Sequence, residues 1–79
     1  MVRITINDLV DEQLTNGSWE DSSLIRNIFG AELEEKVMKE KNRIVVITYL
    51  ISRWIEINYP EKHYSLVSKK GRKYVDKNC

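Results

Sequence analysis

The sequence contains one histidine and one cysteine, which are the residue types that most often supply a general base, a reactive thiol or a zinc ligand. His63 follows Pro60 among charged neighbours, which is typical of an exposed loop histidine. Cys79 is the last residue, where a thiol lacks the fixed surroundings that activate a catalytic cysteine. A zinc site would need more ligands than these two. The sequence therefore predicts neither a catalytic site nor a metal site.

The acidic residues do not form a catalytic pair either. They occur as sequence neighbours, as in Asp11-Glu12 and Glu20-Asp21. Neighbouring side chains on a helix point about 100° apart, so such pairs do not converge on one substrate. The glycines lack the spacing of a phosphate-binding loop. We therefore predict a protein that is not an enzyme and has no cofactor.

The charges are unevenly distributed along the chain. Thirteen Lys and Arg against twelve Asp and Glu give a net charge of +1 over 79 residues. Residues 1–35 nevertheless carry a net charge of −6, residues 36–59 carry +3 and residues 60–79 carry +4. Cations clustered in this way can bind the phosphate backbone of a nucleic acid or an acidic protein surface. The densest cluster is Lys69, Lys70, Arg72 and Lys73.

Local signals predict two helices in the first third of the chain. Thr5 and Asp8 have the spacing of a capping box, which favours a helix over residues 6–15 that ends before Gly17. Alternating apolar residues allow a short strand at 2–4.

The second helix is predicted over residues 19–29. Ser18 and Asp21 repeat the capping spacing, and Gly30 closes the helix. The helical pattern resumes at Ala31 and is interrupted near residues 40–43, so residues 31–58 form either one long helix or two.

Residues 43–58 are predicted to be the central helix. Thr48, Ser52 and Glu56 recur every four residues, which predicts a narrow solvent-facing stripe, with Arg53 beside it, on an otherwise apolar helix. Pro60 ends the helix, because the residue before a proline avoids the α region. The predicted core residues are Ile44, Ile47, Ile51, Trp54 and Ile55.

The last part of the chain is predicted to be a β-hairpin. Residues 64–67 and 72–75 alternate in polarity around a turn that ends at Gly71. The alternative is a short helix capped at Ser68, which is disfavoured because a glycine inside a helix costs about 1 kcal/mol.

The predicted fold is therefore a single mainly α (α+β) domain over residues 1–79. Three to four helices surround the central apolar helix and a C-terminal β-hairpin follows them, an element order compatible with winged-helix proteins. A recognition helix at 43–58 would offer few donors to a DNA groove, so any nucleic-acid contact would be electrostatic and unspecific.

We expect a small cytoplasmic binding protein with no membrane segment, acting by protein–protein contact on a host protein or on a second copy as a homodimer. Isoleucine, asparagine and lysine make up 23 of 79 residues, a composition found in many phages and mobile elements. The alternative is a nucleic-acid-binding regulator that uses the basic hairpin. The predicted contact residues are Lys69, Lys70, Arg72, Lys73, Tyr74 and Arg53. Trp19 and Trp54 are predicted to lie either in the core or at an interface.

Overall fold

A computed structural model describes residues 5–78, apart from the side chain of His63, as five helices. Within these residues there is no strand, and no helix is both long and apolar enough to cross a bilayer. The strand predicted at 2–4 lies outside the described residues. The helices are α1 (Ile6–Glu12), α2 (Ser23–Phe29), α3 (Ala31–Met38), α4 (Arg43–Asn58) and α5 (Lys62–Asn78).

Helix α4 forms the centre of the fold, with the bounds predicted from the sequence. Ile47, Ile51 and Ile55 are fully buried, as predicted, whereas Ile44 and Trp54 are half-buried. A turn separates α3 from α4, so the apolar pattern of residues 31–58 belongs to two helices.

The prediction of a C-terminal hairpin is wrong. The predicted α+β class and the winged-helix element order depended on this hairpin and are therefore wrong as well. Residues 62–78 form one helix, α5, which packs antiparallel against α4 across a short connection. Gly71 lies in the middle of this helix and is buried. A Cβ atom at Gly71 would collide with Ser52 Oγ and approach Trp19 Cζ3 to 3.0 Å. The missing side chain therefore lets α5 lie close to α4, and this packing offsets the low helix propensity of glycine.

The predicted solvent-facing stripe on α4 is also wrong. Thr48 and Ser52 are fully buried and face α5. Thr48 Oγ1 donates to the carbonyl of Ile44 at 2.7 Å and accepts the backbone N–H of Trp19 at 3.0 Å. Ser52 Oγ has no hydrogen-bond partner among the described residues. The four-residue period correctly marks one face of the helix, but small polar side chains occupy that face because a second helix packs closely there.

Helix α1 begins as predicted and ends early. The capping box is present: Thr5 N–H donates to Asp8 Oδ2 at 3.0 Å and Asp8 N–H donates to Thr5 Oγ1 at 3.3 Å. Gln13 is already extended, so the helix ends at Glu12 rather than at residue 15. Gln13 Nε2 instead donates to the carbonyl of Val67 at 3.1 Å, which ties the end of α1 to α5.

Helix α2 begins at Ser23, four residues later than predicted. Ser18 does not cap a helix, since its hydroxyl donates to Asn16 Oδ1 at 2.7 Å. Asp21 Oδ1 accepts the backbone N–H of Ser23 at 2.9 Å. Gly30 closes α2 as predicted, with a φ of 107°.

The segment between α1 and α2 packs beneath α5. Trp19 is fully buried and its Nε1 donates to the carbonyl of Leu9 at 2.8 Å. Gly17 has a φ of 95°, and its backbone lies so close to Lys70 that an added Cβ would be 2.5 Å from the Lys70 carbonyl oxygen. Two glycines therefore allow the close approach of this segment, α4 and α5. The buried apolar core consists of Ile6, Leu9, Trp19, Leu24, Ile25, Ile28, Val37, Ile47, Ile51 and Ile55.

We expect Gly71→Ala to destabilise the protein. Overpacking against Ser52 and Trp19 lowers the free energy of unfolding by about 1–3 kcal/mol, whereas the higher helix propensity of alanine raises it by about 1 kcal/mol. The free energy of unfolding should therefore fall by about 1 kcal/mol. Ser52→Ala removes the atom nearest to the added methyl group and deletes an unpartnered buried hydroxyl. It should therefore be neutral or stabilising alone. Urea unfolding of the two single variants and the double variant measures both effects.

The two substitutions should be coupled by at least about 0.5 kcal/mol, because the double variant no longer contains the closest clash. Additive effects, or a Gly71→Ala variant more stable than the parent, would show that α5 does not approach α4 in this way.

Candidate functional site

The outer side of α5 is covered with lysines. A rotation of 100° per residue places five lysines within about a third of the helix circumference, and all five are exposed. None of them forms a salt bridge with a described residue. This surface, the lysine face, consists of Lys62, Lys69, Lys70, Lys73 and Lys77.

A groove runs along the C-terminal half of the lysine face. A depression of about 620 Å³ lies between α5 and the segment after α1. A second depression of about 290 Å³ lies between α5 and the start of α4. Both are bordered by Tyr74 and Asn78, so they adjoin at these residues, and the two depressions together are called the basic groove. Its lining residues are Asn16, Lys41, Asn42, Arg43, Ile44, Val45, Lys70, Lys73, Tyr74, Lys77 and Asn78.

The basic groove has charge of one sign. Its lining contains five cations, no carboxylate and three asparagine amides. A concave surface with one sign of charge concentrates counter-ions and raises the association rate of an oppositely charged ligand. The basic groove is therefore complementary in charge to a polyanion.

The acidic side chains gather elsewhere on the surface. Asp8, Asp11, Glu12 and Asp21 line a depression of about 390 Å³ formed by α1 and α2, which shares no residue with the basic groove. Among residues 5–78, no group of three or more His, Cys, Asp or Glu side chains is arranged to hold a metal ion. The charge asymmetry of the sequence therefore becomes an asymmetry of the surface.

The structure separates the predicted contact residues into two groups. Lys70, Lys73 and Tyr74 line the basic groove, and Lys69 lies on the lysine face beside it. Tyr74 lies on a helix rather than on the predicted strand.

Arg72 and Arg53 form the second group, and both pair with a carboxylate of α4. Arg72 Nη1 lies 3.0 Å from Glu56 Oε2, and Arg53 Nη1 lies 3.5 Å from Glu56 Oε1. The Arg72 guanidinium also lies over the ring of Tyr49, 5.4 Å from its centroid. The pairs are partly exposed, so each contributes at most about 1 kcal/mol. Arg72 therefore helps to join α5 to α4, whereas Arg53 pairs within α4, and part of the charge of both arginines is already compensated.

The two tryptophans differ in burial. Trp19 is fully buried and lies in the core, with no surface to offer a partner. Trp54 is half-buried, and its ring lies 5.5 Å from that of Tyr59, which lies 5.5 Å from that of Tyr64. These three aromatic rings pack the connection between α4 and α5.

Several groove residues were missed by the sequence analysis. Lys77 follows Lys73 by four residues and would have been included had residues 62–78 been predicted as a helix. Lys41, Arg43 and Asn16 reach the groove only through tertiary packing, which no local pattern encodes.

Comparison with known proteins does not supply a function. No protein-family model matches the chain, no curated protein matches its sequence and no solved structure matches its fold. Function must therefore be inferred from the chemistry of the groove.

Proposed function

We propose that this protein is a non-enzymatic nucleic-acid-binding protein that holds a phosphate backbone in the basic groove. The observation that carries the proposal is a groove with five cations and no carboxylate. None of these cations is engaged in a salt bridge with a described residue. Their charge is therefore available to a ligand.

Binding in this groove is driven by electrostatics. Each ammonium group that neutralises a phosphate releases condensed counter-ions, so affinity falls as salt rises. Four of the five cations are lysines, which act as mobile point charges and do not present the rigid fork of donors that arginine uses to read guanine. We therefore propose binding that depends little on nucleotide sequence.

The location of the protein follows from this role. We propose that the protein acts inside a cell, where its nucleic-acid ligand would be found and where a lone cysteine stays reduced. The acidic depression on α1 and α2 repels phosphates, so the nucleic acid is directed to the basic groove.

We expect Lys70→Gln/Lys73→Gln to weaken binding to nucleic acid and to reduce its salt dependence. Five phosphate contacts predict a slope of about −3.5 to −4.5 in a plot of log K against log salt, and the double variant should lower its magnitude by about 1.4–1.8. Fluorescence anisotropy of a labelled oligonucleotide between low and moderate salt measures the slope.

The matched control is Lys36→Gln/Lys39→Gln. These lysines are also exposed and three residues apart, but they line neither depression of the basic groove. The control pair removes the same net charge but lies outside the groove, so the slope of log K against log salt should stay close to that of the parent. An equal loss of affinity and of slope in both double variants would mean that the overall charge of the protein, and not the groove, determines binding.

A second candidate function, contact with another protein, is supported by the outer side of α4. Tyr49 is exposed at 42% and Ile57 at 68%. The same helix face carries the half-buried Val46 and Leu50 and the exposed Arg53. This set of five residues, the outer stripe, follows the three- and four-residue spacing of one helix face. Exposed apolar side chains on one helix face, here Tyr49 and Ile57, are typical of a protein interface, and a second copy of the chain would form a homodimer through the outer stripe.

Under this second proposal, Ile57→Glu should abolish self-association. Burying an unpaired carboxylate in an apolar contact is strongly unfavourable. Sedimentation velocity over a wide concentration range measures the change. Leu66→Glu is the matched control, because Leu66 is equally exposed at 70% but lies on α5 within the lysine face. A parent protein that stays monomeric at all concentrations would contradict the homodimer.

A further inference from the structure

We infer that the basic groove binds single-stranded nucleic acid, with a base stacked on Tyr74. This inference rests on the proposed function and specifies its ligand. Proteins that bind single strands combine a positively charged groove, which follows the backbone, with aromatic side chains on which bases stack.

Tyr74 lies between the cations of the basic groove. It borders both depressions, so it is at the junction of the groove, with Lys70, Lys73 and Lys77 on one side. Lys41 and Arg43 lie on the other side. Tyr74 is half-buried, which holds the side chain against the protein while leaving part of it at the groove surface. A strand crossing the groove would thus meet cations before and after the aromatic ring.

The asparagine amides of the groove suit the edge of an unpaired base. Asn16 Oδ1 already accepts hydrogen bonds from Ser18, which leaves the Nδ2 amide as a donor to a ligand. Asn78 Nδ2 donates to the carbonyl of Tyr74 at 2.8 Å, which leaves Oδ1 as an acceptor. The Watson–Crick edges of bases are accessible to such donors and acceptors only when the bases are unpaired.

Helices α4 and α5 offer little that would read the base edges of a duplex. The long helix α4 buries Thr48 and Ser52 against α5, so these hydroxyls cannot reach a DNA groove. The outer side of α5 presents lysines around Leu66, and these flexible point charges lack the planar fork of donors with which arginine contacts base edges. The combination of cations, amides and one aromatic ring therefore favours a single strand.

The test compares a 20-nucleotide oligothymidine with a mixed-sequence duplex of the same length, at one salt concentration, by fluorescence anisotropy. The parent protein should bind the single strand at least about ten-fold more tightly. Tyr74→Leu should weaken single-strand binding by about five- to hundred-fold, because base–aromatic stacking is lost. Tyr74→Phe keeps the stacking surface and should retain binding within about two-fold, and duplex binding should be unchanged in both variants. Circular dichroism confirms that each variant is folded.

The outcomes separate the inference from the proposed function. Duplex binding equal to or tighter than single-strand binding, or no effect of Tyr74→Leu on the single strand, overturns the inference while leaving nucleic-acid binding in place. Binding of neither probe at low salt overturns the proposed function itself. Loss of single-strand binding in both Tyr74→Leu and Tyr74→Phe would assign the effect to the phenolic hydroxyl and would contradict stacking.

Discussion

The close contact between α4 and α5 at Gly71 is the constraint on which the rest of the structure depends. Because Gly71 has no side chain, α5 lies directly against Ser52 and Thr48, with the ring of Trp19 packed beside them. This contact stabilises α5 as a helix, and only a helix brings lysines spaced three and four residues apart onto one side. A hairpin would have divided the same lysines between two faces. The basic groove is therefore a consequence of one buried glycine.

The parts of the fold that local signals encode were predictable from the sequence. The bounds of α4 follow from its apolar residues and from Pro60, and the start of α1 follows from the Thr5–Asp8 capping box. The end of α2 follows from Gly30. In each case the residues that decide the structure are neighbours along the chain, so the physical cause can be identified without knowing the tertiary structure.

The remaining features depend on contacts between residues far apart in the sequence. The turn preference of Gly71 suggested a hairpin, but the absence of a side chain at Gly71 instead leaves room for the side chains of Ser52 and Trp19. Thr48 appeared exposed because it is polar, yet its hydroxyl accepts the N–H of Trp19 inside the protein. The same limitation applies to the groove: Lys70 and Lys73 lie within one sequence cluster, whereas Lys41, Arg43 and Asn16 join them only after folding.

Solution NMR of the parent protein tests the central contact most directly. Helical ¹³Cα secondary shifts from Lys62 to Asn78, together with nuclear Overhauser effects between the Gly71 α-protons and the Trp19 ring, are expected if α5 packs on α4 as described. The contact would be contradicted by ¹³Cα secondary shifts typical of extended backbone over residues 64–67 and 72–75, with nuclear Overhauser effects between these two segments and no such effects from Gly71 to the Trp19 ring. The groove that depends on the contact would then be contradicted as well.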